Sequence, residues 1–157
     1  MTGGTGARPA RAPLAPGDLL DANVWLALSV SDHQHHARAR LYWDGEAAEA
    51  LAFCRITALA LPRHLTTAAI MGPRALSGAA AWDALTRWLA LPNIRLASEP
   101  AALDELLQHW ARSLDLRAGA WTDAYLAAFA TASGLRLVSF DRGFTRFPGL
   151  SFLHLAA

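Results

Sequence analysis

The chain of 157 residues has no lysine at all; its fourteen basic residues are all arginine. That absence excludes Schiff-base chemistry on a lysine amine, phosphate binding through a P-loop lysine, and the lysine-dependent sites of haloacid-dehalogenase phosphatases and response-regulator receivers. Cysteine is almost as scarce. The single Cys54 can build neither a disulfide framework within the chain nor a cysteine-based zinc site, and it suits a reducing compartment. Excess charge is missing too: a formal net charge of +1 gives no general pull on nucleic acid, so a polyanion has to find a local patch. No apolar run reaches the roughly 18 residues that span a bilayer. The first residues lack the apolar stretch of a secretory signal. The expectation is a soluble, cytoplasmic protein with no membrane partner.

What is present is apolar. Hydrophobic residues make up 54% of the chain and charged ones 17%, enough to bury the core of one ordinary domain. Residues 1–17 (MTGGTGARPARAPLAPG) carry hardly any large side chain and are expected to be a disordered tail; the domain is expected to occupy 18–157.

From Asp18 onward the pattern alternates between short apolar runs and amphipathic stretches. Strands are expected at Asp18–Trp25, Leu51–Ile56, Asn93–Ala97, Leu135–Phe140 and Ser151–Leu155. Helices are expected at Ser31–Trp43, Thr57–Thr67 with Pro62 kinking it or delaying its start, and Ser77–Leu91. Ser98-Glu99-Pro100 reads as the start of another helix, whose Leu103, Leu106, Leu107 and Trp110 form one apolar face. A last helix, Trp121–Ser133, ends at Gly134. Strands alternating with helices imply a mainly parallel sheet covered on both faces, an α/β/α sandwich.

Three acids stand where a packed core would not choose them: Asp21 within or at the end of the first strand, Asp123 in the first turn of an apolar helix, and Asp141 directly after the LRLVSF strand. Sites in open parallel sheets gather at the carboxyl ends of strands and the adjoining helix starts, which would bring the three together. Taken singly, Asp123 could complement a helix dipole and Asp141 could make a turn, but a buried Asp21 is costly without a partner. Converging carboxylates repel one another unless a cation lies between them, and all-oxygen ligands suit Mg²⁺ or Mn²⁺. Such sites commonly do phosphoryl chemistry through an activated water. Asn23, expected on the same strand face as Asp21, and Ser139, two residues before Asp141, are candidates to hold that water. Arg55, Arg63, Arg142 and Arg146 are candidates to contact the phosphates of a substrate.

LLDANVWLAL, HQHHARARLYW, FCRIT, the stretch from Arg63 to Gly72, WTDAYLAAFA and LRLVSFDRGFTRFPGL occur in an order that resembles the PIN-domain ribonucleases, and more narrowly the VapC-type toxins of bacterial toxin–antitoxin pairs. The likeness runs from about Leu19 to Leu155. It implies a PIN-like fold, RNA cleavage dependent on Mg²⁺ or Mn²⁺, a small cognate antitoxin whose tail covers the acidic pocket, and a homodimer. By this resemblance Asp21 matches the first metal aspartate, Asp123 the later one, and Asp141 the acid after the late strand. One departure stands out: where the family commonly has glutamate, and related toxins glutamine, this chain has Ala58. The expectation is therefore one metal, weakly held.

Other features read more plainly. His33, His35 and His36 cluster without a third ligand type nearby, and His64, His109 and His154 are isolated, so all six are expected to be structural. Glu46 and Glu49 read as a solvated helix face. Six tryptophans fall mostly at core spacing, with one or two left to stack on bases. A rival reading follows from Ala58: a catalytically impaired PIN-like module that holds an antitoxin or RNA without cleaving it. A haloacid-dehalogenase phosphatase is disfavoured, because Asn23 stands where its second strand aspartate would be and no lysine follows.

Overall fold

The computed structural model describes residues 17–156; the expected tail at 1–17 lies outside that range, except for Gly17. Five strands form one parallel sheet in the order β3-β2-β1-β4-β5. In chain order the elements are β1 (Gly17–Leu20), α1 (Ala22–Ser29), α2 (His36–Gly45), β2 (Ala50–Phe53), α3 (Arg55–Leu65), α4 (Ala68–Met71), α5 (Gly78–Leu89), β3 (Ile94–Leu96), α6 (Leu103–Ser113), α7 (Ala120–Ser133), β4 (Arg136–Ser139) and β5 (Phe152–His154). Single 3₁₀ turns cover Gly72–Arg74 and Arg142–Arg146.

The strands read as apolar runs because both faces are covered. Successive residues feed opposite layers. Leu20, Leu51, Phe53 and Val138 pack under α1, α2, α3 and α5; Leu19, Ala52 and Leu137 pack under α6 and α7. Trp25 stacks on Phe53 with ring centroids 3.9 Å apart and anchors the first layer, while Trp110 lies against Phe147 in the second. The expected α/β/α sandwich is what the chain forms.

Several boundaries differ from the sequence expectation, each for a local reason. The first strand stops at Leu20 rather than Trp25, because Asp21 caps a helix: its Oδ1 accepts the Ala22 N–H at 2.7 Å and its carbonyl accepts from Val24 and Trp25. Helix α1 is buried almost all round, so its periodicity cannot be told from a buried strand. Asn23 accordingly lies in a helical turn, not on a strand face. The second strand ends at Phe53, and α3 begins at Arg55, earlier than expected, since Thr57 Oγ1 accepts the Cys54 N–H at 3.0 Å; the helix then runs through Pro62. The helix expected from Ser98 starts only at Leu103, Pro100 disfavouring helical backbone at the residue before it. Helix α2 starts at His36 rather than Ser31, and the short α4 and both 3₁₀ turns were not expected. Gly134, at φ 68°, ends α7 as anticipated.

At the amino-terminal edge of the sheet, Asp18 is 1% exposed and fully engaged. Arg136 grips both its oxygens at 2.8 Å, Tyr42 donates its hydroxyl at 2.6 Å, and the Ala48 N–H donates at 2.9 Å. Burial, with the carboxylate beside it, holds the Tyr42 phenol well above its ordinary range. Asp18 is buried while Arg136 is a third exposed, so removing the arginine leaves a buried carboxylate with two neutral donors, at a cost below that of breaking a fully buried pair. Arg136→Ala is therefore expected to lower stability by about 2 kcal/mol in urea denaturation, and adding Asp18→Asn should return a large part of that loss.

Candidate functional site

The opposite, carboxyl-terminal edge carries the candidate site. Strands β1 and β4 are neighbours with Leu20 paired to Val138, and the Asp21 N–H donates to the Val138 carbonyl at 2.9 Å. The next residues of the two strands, Asp21 and Ser139, are thereby set side by side. Ser139 is wholly buried, and its hydroxyl is the node of the site. It donates to Asp21 Oδ2 at 2.7 Å, accepts from Asn23 Nδ2 at 3.2 Å, and accepts the Asp141 N–H at 3.0 Å. Asn23 reaches across as well, its Oδ1 accepting from the Phe140 N–H at 3.4 Å. Asn23 and Ser139 thus hold acids and backbone in place rather than standing free.

Asp141 starts the 3₁₀ turn and accepts the Gly143 N–H at 2.7 Å. A Cβ at Gly143 would lie 3.0 Å from Asp141 Oδ1, so the close approach favours glycine. Asp123 projects from the first turn of α7 and is paired with Arg146 at 2.8 Å. Arg146 also lies over the Phe147 ring at 5.0 Å.

The electrostatics distinguish Asp21 from the other acids. No arginine or histidine forms an ion pair with it among the described residues. Burial pushes its carboxyl upward; the Ser139 and Ala22 hydrogen bonds oppose this, and the charges of Asp123 and Asp141 add to it. Asp123 is raised by burial too, with Arg146 opposing and Asp141 adding. The three acids therefore share one field, although in this side-chain arrangement no group of three His, Cys, Asp or Glu is close enough to enclose a cation among the described residues.

The arginines divide. Arg146 is engaged by Asp123. Arg142 is exposed beside Asp141, and Arg55 is exposed at the start of α3, on the same sheet edge; neither has an ion-pair partner among the described residues. Arg63 stands about 12 Å further along α3, eight residues at 1.5 Å each, away from the acids. Ala58 is 1% exposed and packs in the core beneath α3, so its methyl group fills the position where the resemblance expects an acid. Glu46, just past the end of α2, pairs with Arg38 at 2.7 Å, and neither it nor Glu49 lies in a helix, so the expected helix face is not formed. His36 Nδ1 lies 2.7 Å from the Ala27 carbonyl, His154 Nε2 lies 3.0 Å from that of Phe140, and His35 stacks on Phe140. Trp82 and Trp121 are the exposed tryptophans, at 53% and 49%.

Two acids escaped the sequence reading. Asp18 is the most buried of all; its signal was its place in DLLD, two acids flanking a two-leucine strand. Glu99 was read as part of a helix start, whereas it lies in the loop after β3 and accepts the Tyr125 hydroxyl at 2.7 Å.

The sequence model of the PIN domain family matches residues 19–150, which span this parallel sandwich and all three acids, and the chain belongs to that family. Over 143 residues it is 37% identical to ribonuclease VapC41 of Mycobacterium tuberculosis, covering 88% of this chain and 98% of the relative. It is 31% identical to ribonuclease VapC37 of the same organism over 134 residues, with 84% and 92% covered. Among solved structures it resembles VapBC-1 of Haemophilus influenzae, with a TM-score of 0.64, 15% identity, and coverage of 88% of this chain and 97% of that one. It also resembles VapC20 of M. tuberculosis, described as a sarcin–ricin loop cleaving toxin, with a TM-score of 0.59, 19% identity and coverage of 82% and 93%.

If Asp21 is held charged against burial and like charge, removing its charge should stabilise the metal-free chain. Asparagine has one acceptor oxygen where Asp21 uses two, so it keeps the bond from Ala22 and gives up the one from Ser139, a loss that the relief of buried charge outweighs. Asp21→Asn is expected to raise Tm by about 2–4 °C in EDTA at pH 7, the shift that about 1 kcal/mol gives in a chain of this length. Because the folded carboxyl is raised, the penalty is present at neutral pH and fades as acidification protonates it. The gain should therefore shrink as pH falls towards the ordinary carboxylate range.

Proposed function

We propose that the chain is a metal-dependent endoribonuclease, the toxin of a toxin–antitoxin pair. The observation that carries the reading is Asp21: a largely desolvated carboxylate without a cationic partner among the described residues, pressed by Asp123 and Asp141, at the catalytic edge of a fold whose curated relatives are named ribonucleases.

The donor chemistry fits a hard divalent cation. Mg²⁺ needs only one or two protein carboxylates beside water and phosphate oxygens, and Asp21, Asp123 and Asp141 are the residues that would hold Mg²⁺ or Mn²⁺. When bound, the ion would lower the pKa of a water and neutralise charge on the scissile phosphate. Ser139 fixes the Asp21 carboxylate and the Asp141 backbone from one hydroxyl, and Asn23 braces that hydroxyl. Arg55 and Arg142, exposed on the same edge, are placed to take RNA phosphates. A cation at Asp123 competes with the Arg146 ion pair, which with the missing acid at position 58 supports one weakly held ion.

The partners follow from the same reading. Several structural neighbours are toxin–antitoxin assemblies, which supports a small cognate antitoxin; its cover of the acidic edge and a homodimer are what the family resemblance implies. No helix among the described residues is long and apolar enough to cross a membrane, which is compatible with action in the cytoplasm.

The test is to incubate the purified chain, free of antitoxin, with total small RNA and Mn²⁺ or Mg²⁺. Discrete fragments are expected, abolished by EDTA and reduced at least about a hundredfold in Asp21→Asn, in the range typical of losing a group that stabilises a transition state. Cleavage that persists in EDTA or in Asp21→Asn would contradict the assignment. A folded chain that binds RNA or antitoxin without cutting would be the impaired module.

A further inference from the structure

On the same sheet edge, two strands from Asp21, lies a cavity of about 350 Å³ lined by Arg55, Leu96, Ala97, Ser98 and Glu99. The pairing of Leu19 with Ala52 and of Phe53 with Leu96 puts Asp21, Cys54 and Ala97 in one row across β1, β2 and β3. The cavity floor is thus about 10 Å from Asp21, two strand spacings. That is within reach of a nucleotide neighbouring the one at the acidic edge.

The lining has the parts of a base pocket. Leu96, 37% exposed, and Ala97 give an apolar floor. The Arg55 guanidinium gives a planar cation on whose face a base can stack while its N–H edge still reaches the adjoining phosphate, a recurrent mode in single-stranded RNA recognition. Glu99 gives an ionised carboxylate, which only accepts hydrogen bonds. The Tyr125 hydroxyl steers it by donating to Oε1 at 2.7 Å, and Tyr125 in turn lies against the buried Phe129 ring. Oε2 and the remaining lone pairs of Oε1 stay available.

A carboxylate selects among the four bases by their Watson–Crick edges. Guanine presents two adjacent donors, N1–H and the N2 amino group, that match its two oxygens. Adenine and cytosine present a donor beside an acceptor, and uracil a donor between two acceptors, so each sets a lone pair against the carboxylate. Glu99 also repels a phosphate, which directs the base rather than the backbone into the cavity.

We infer that the Arg55–Glu99 cavity takes a guanine base close to the phosphate being cut, with Glu99 reading its Watson–Crick edge and Arg55 stacking on it. The inference rests on the reading that the acidic edge cuts RNA. Tyr125 is a positioning residue, acting through Glu99.

Cut sites mapped on single-stranded RNA of randomised sequence in Mn²⁺ are expected to show guanine enriched at one fixed position within a few nucleotides of the cut. On an oligonucleotide carrying that guanine, replacement by inosine, which lacks the N2 amino group, or by adenine should lower kcat/KM about tenfold or more for the wild-type chain. In Glu99→Gln the guanine-to-inosine ratio should fall towards one, a change that lost packing alone would not produce. Tyr125→Phe, which keeps the carboxylate but frees it, should weaken the ratio less. Cut sites without guanine preference, or a preference unchanged in Glu99→Gln, would overturn this inference while leaving the nuclease reading intact. If the folded chain cuts no RNA at all, the nuclease reading itself fails, and this inference with it.

Discussion

The Ser139 hydroxyl ties together everything that the carboxyl-terminal edge does. It sits wholly buried at the end of β4 and touches Asp21, Asn23 and the Asp141 backbone at 2.7, 3.2 and 3.0 Å. Those partners belong to segments more than a hundred residues apart in the chain, joined only because β1 and β4 lie side by side. An exposed hydroxyl at this position would contribute little; a buried one is worth more because its alternatives to these partners are costly. The parallel pairing of β1 with β4 thus places the site, and one small polar atom fixes its internal geometry.

The two ends of β1 contrast. Asp18 at its start and Asp21 just past its end flank the same two leucines. Asp18 receives a bidentate arginine, a phenol and a backbone N–H, so its charge is matched and the edge there is structural. Asp21 receives only neutral donors and feels two further carboxylates. The first arrangement adds to stability; the second withholds it. Folded proteins tolerate such a deficit at functional sites, where a ligand rather than a side chain supplies the missing charge.

The α/β/α sandwich was legible because strands buried on both faces must be apolar runs, and because Gly134 and the amphipathic face of Leu103, Leu106 and Trp110 punctuate the helices. Asp21, Asp123 and Asp141 were legible as acids in apolar company. The junction at Asp21 was not: α1 is apolar nearly all round, so no periodicity marks where strand gives way to helix, and Asn23 was assigned to a strand face it does not occupy. Ser98-Glu99-Pro100 carries the letters of a helix start, yet a proline restrains the residue before it, and Glu99 is used by Tyr125 instead. Ion pairs between distant segments, such as Arg146 with Asp123, leave no trace in local sequence. Neither does the difference between Arg55, which the sheet edge presents, and Arg63, which the same helix carries away.

The proposed catalysis at the Asp21 edge depends on a divalent cation held there. The most direct measurement is Mn²⁺ binding to the antitoxin-free chain, followed by the loss of the free-ion electron paramagnetic resonance signal. One ion per chain is predicted, displaced by Mg²⁺, weakened strongly in Asp21→Asn and tightened in Arg146→Gln, which frees Asp123 of its ion pair. No binding at millimolar Mn²⁺, two ions per chain, or an affinity indifferent to Asp21 would contradict it.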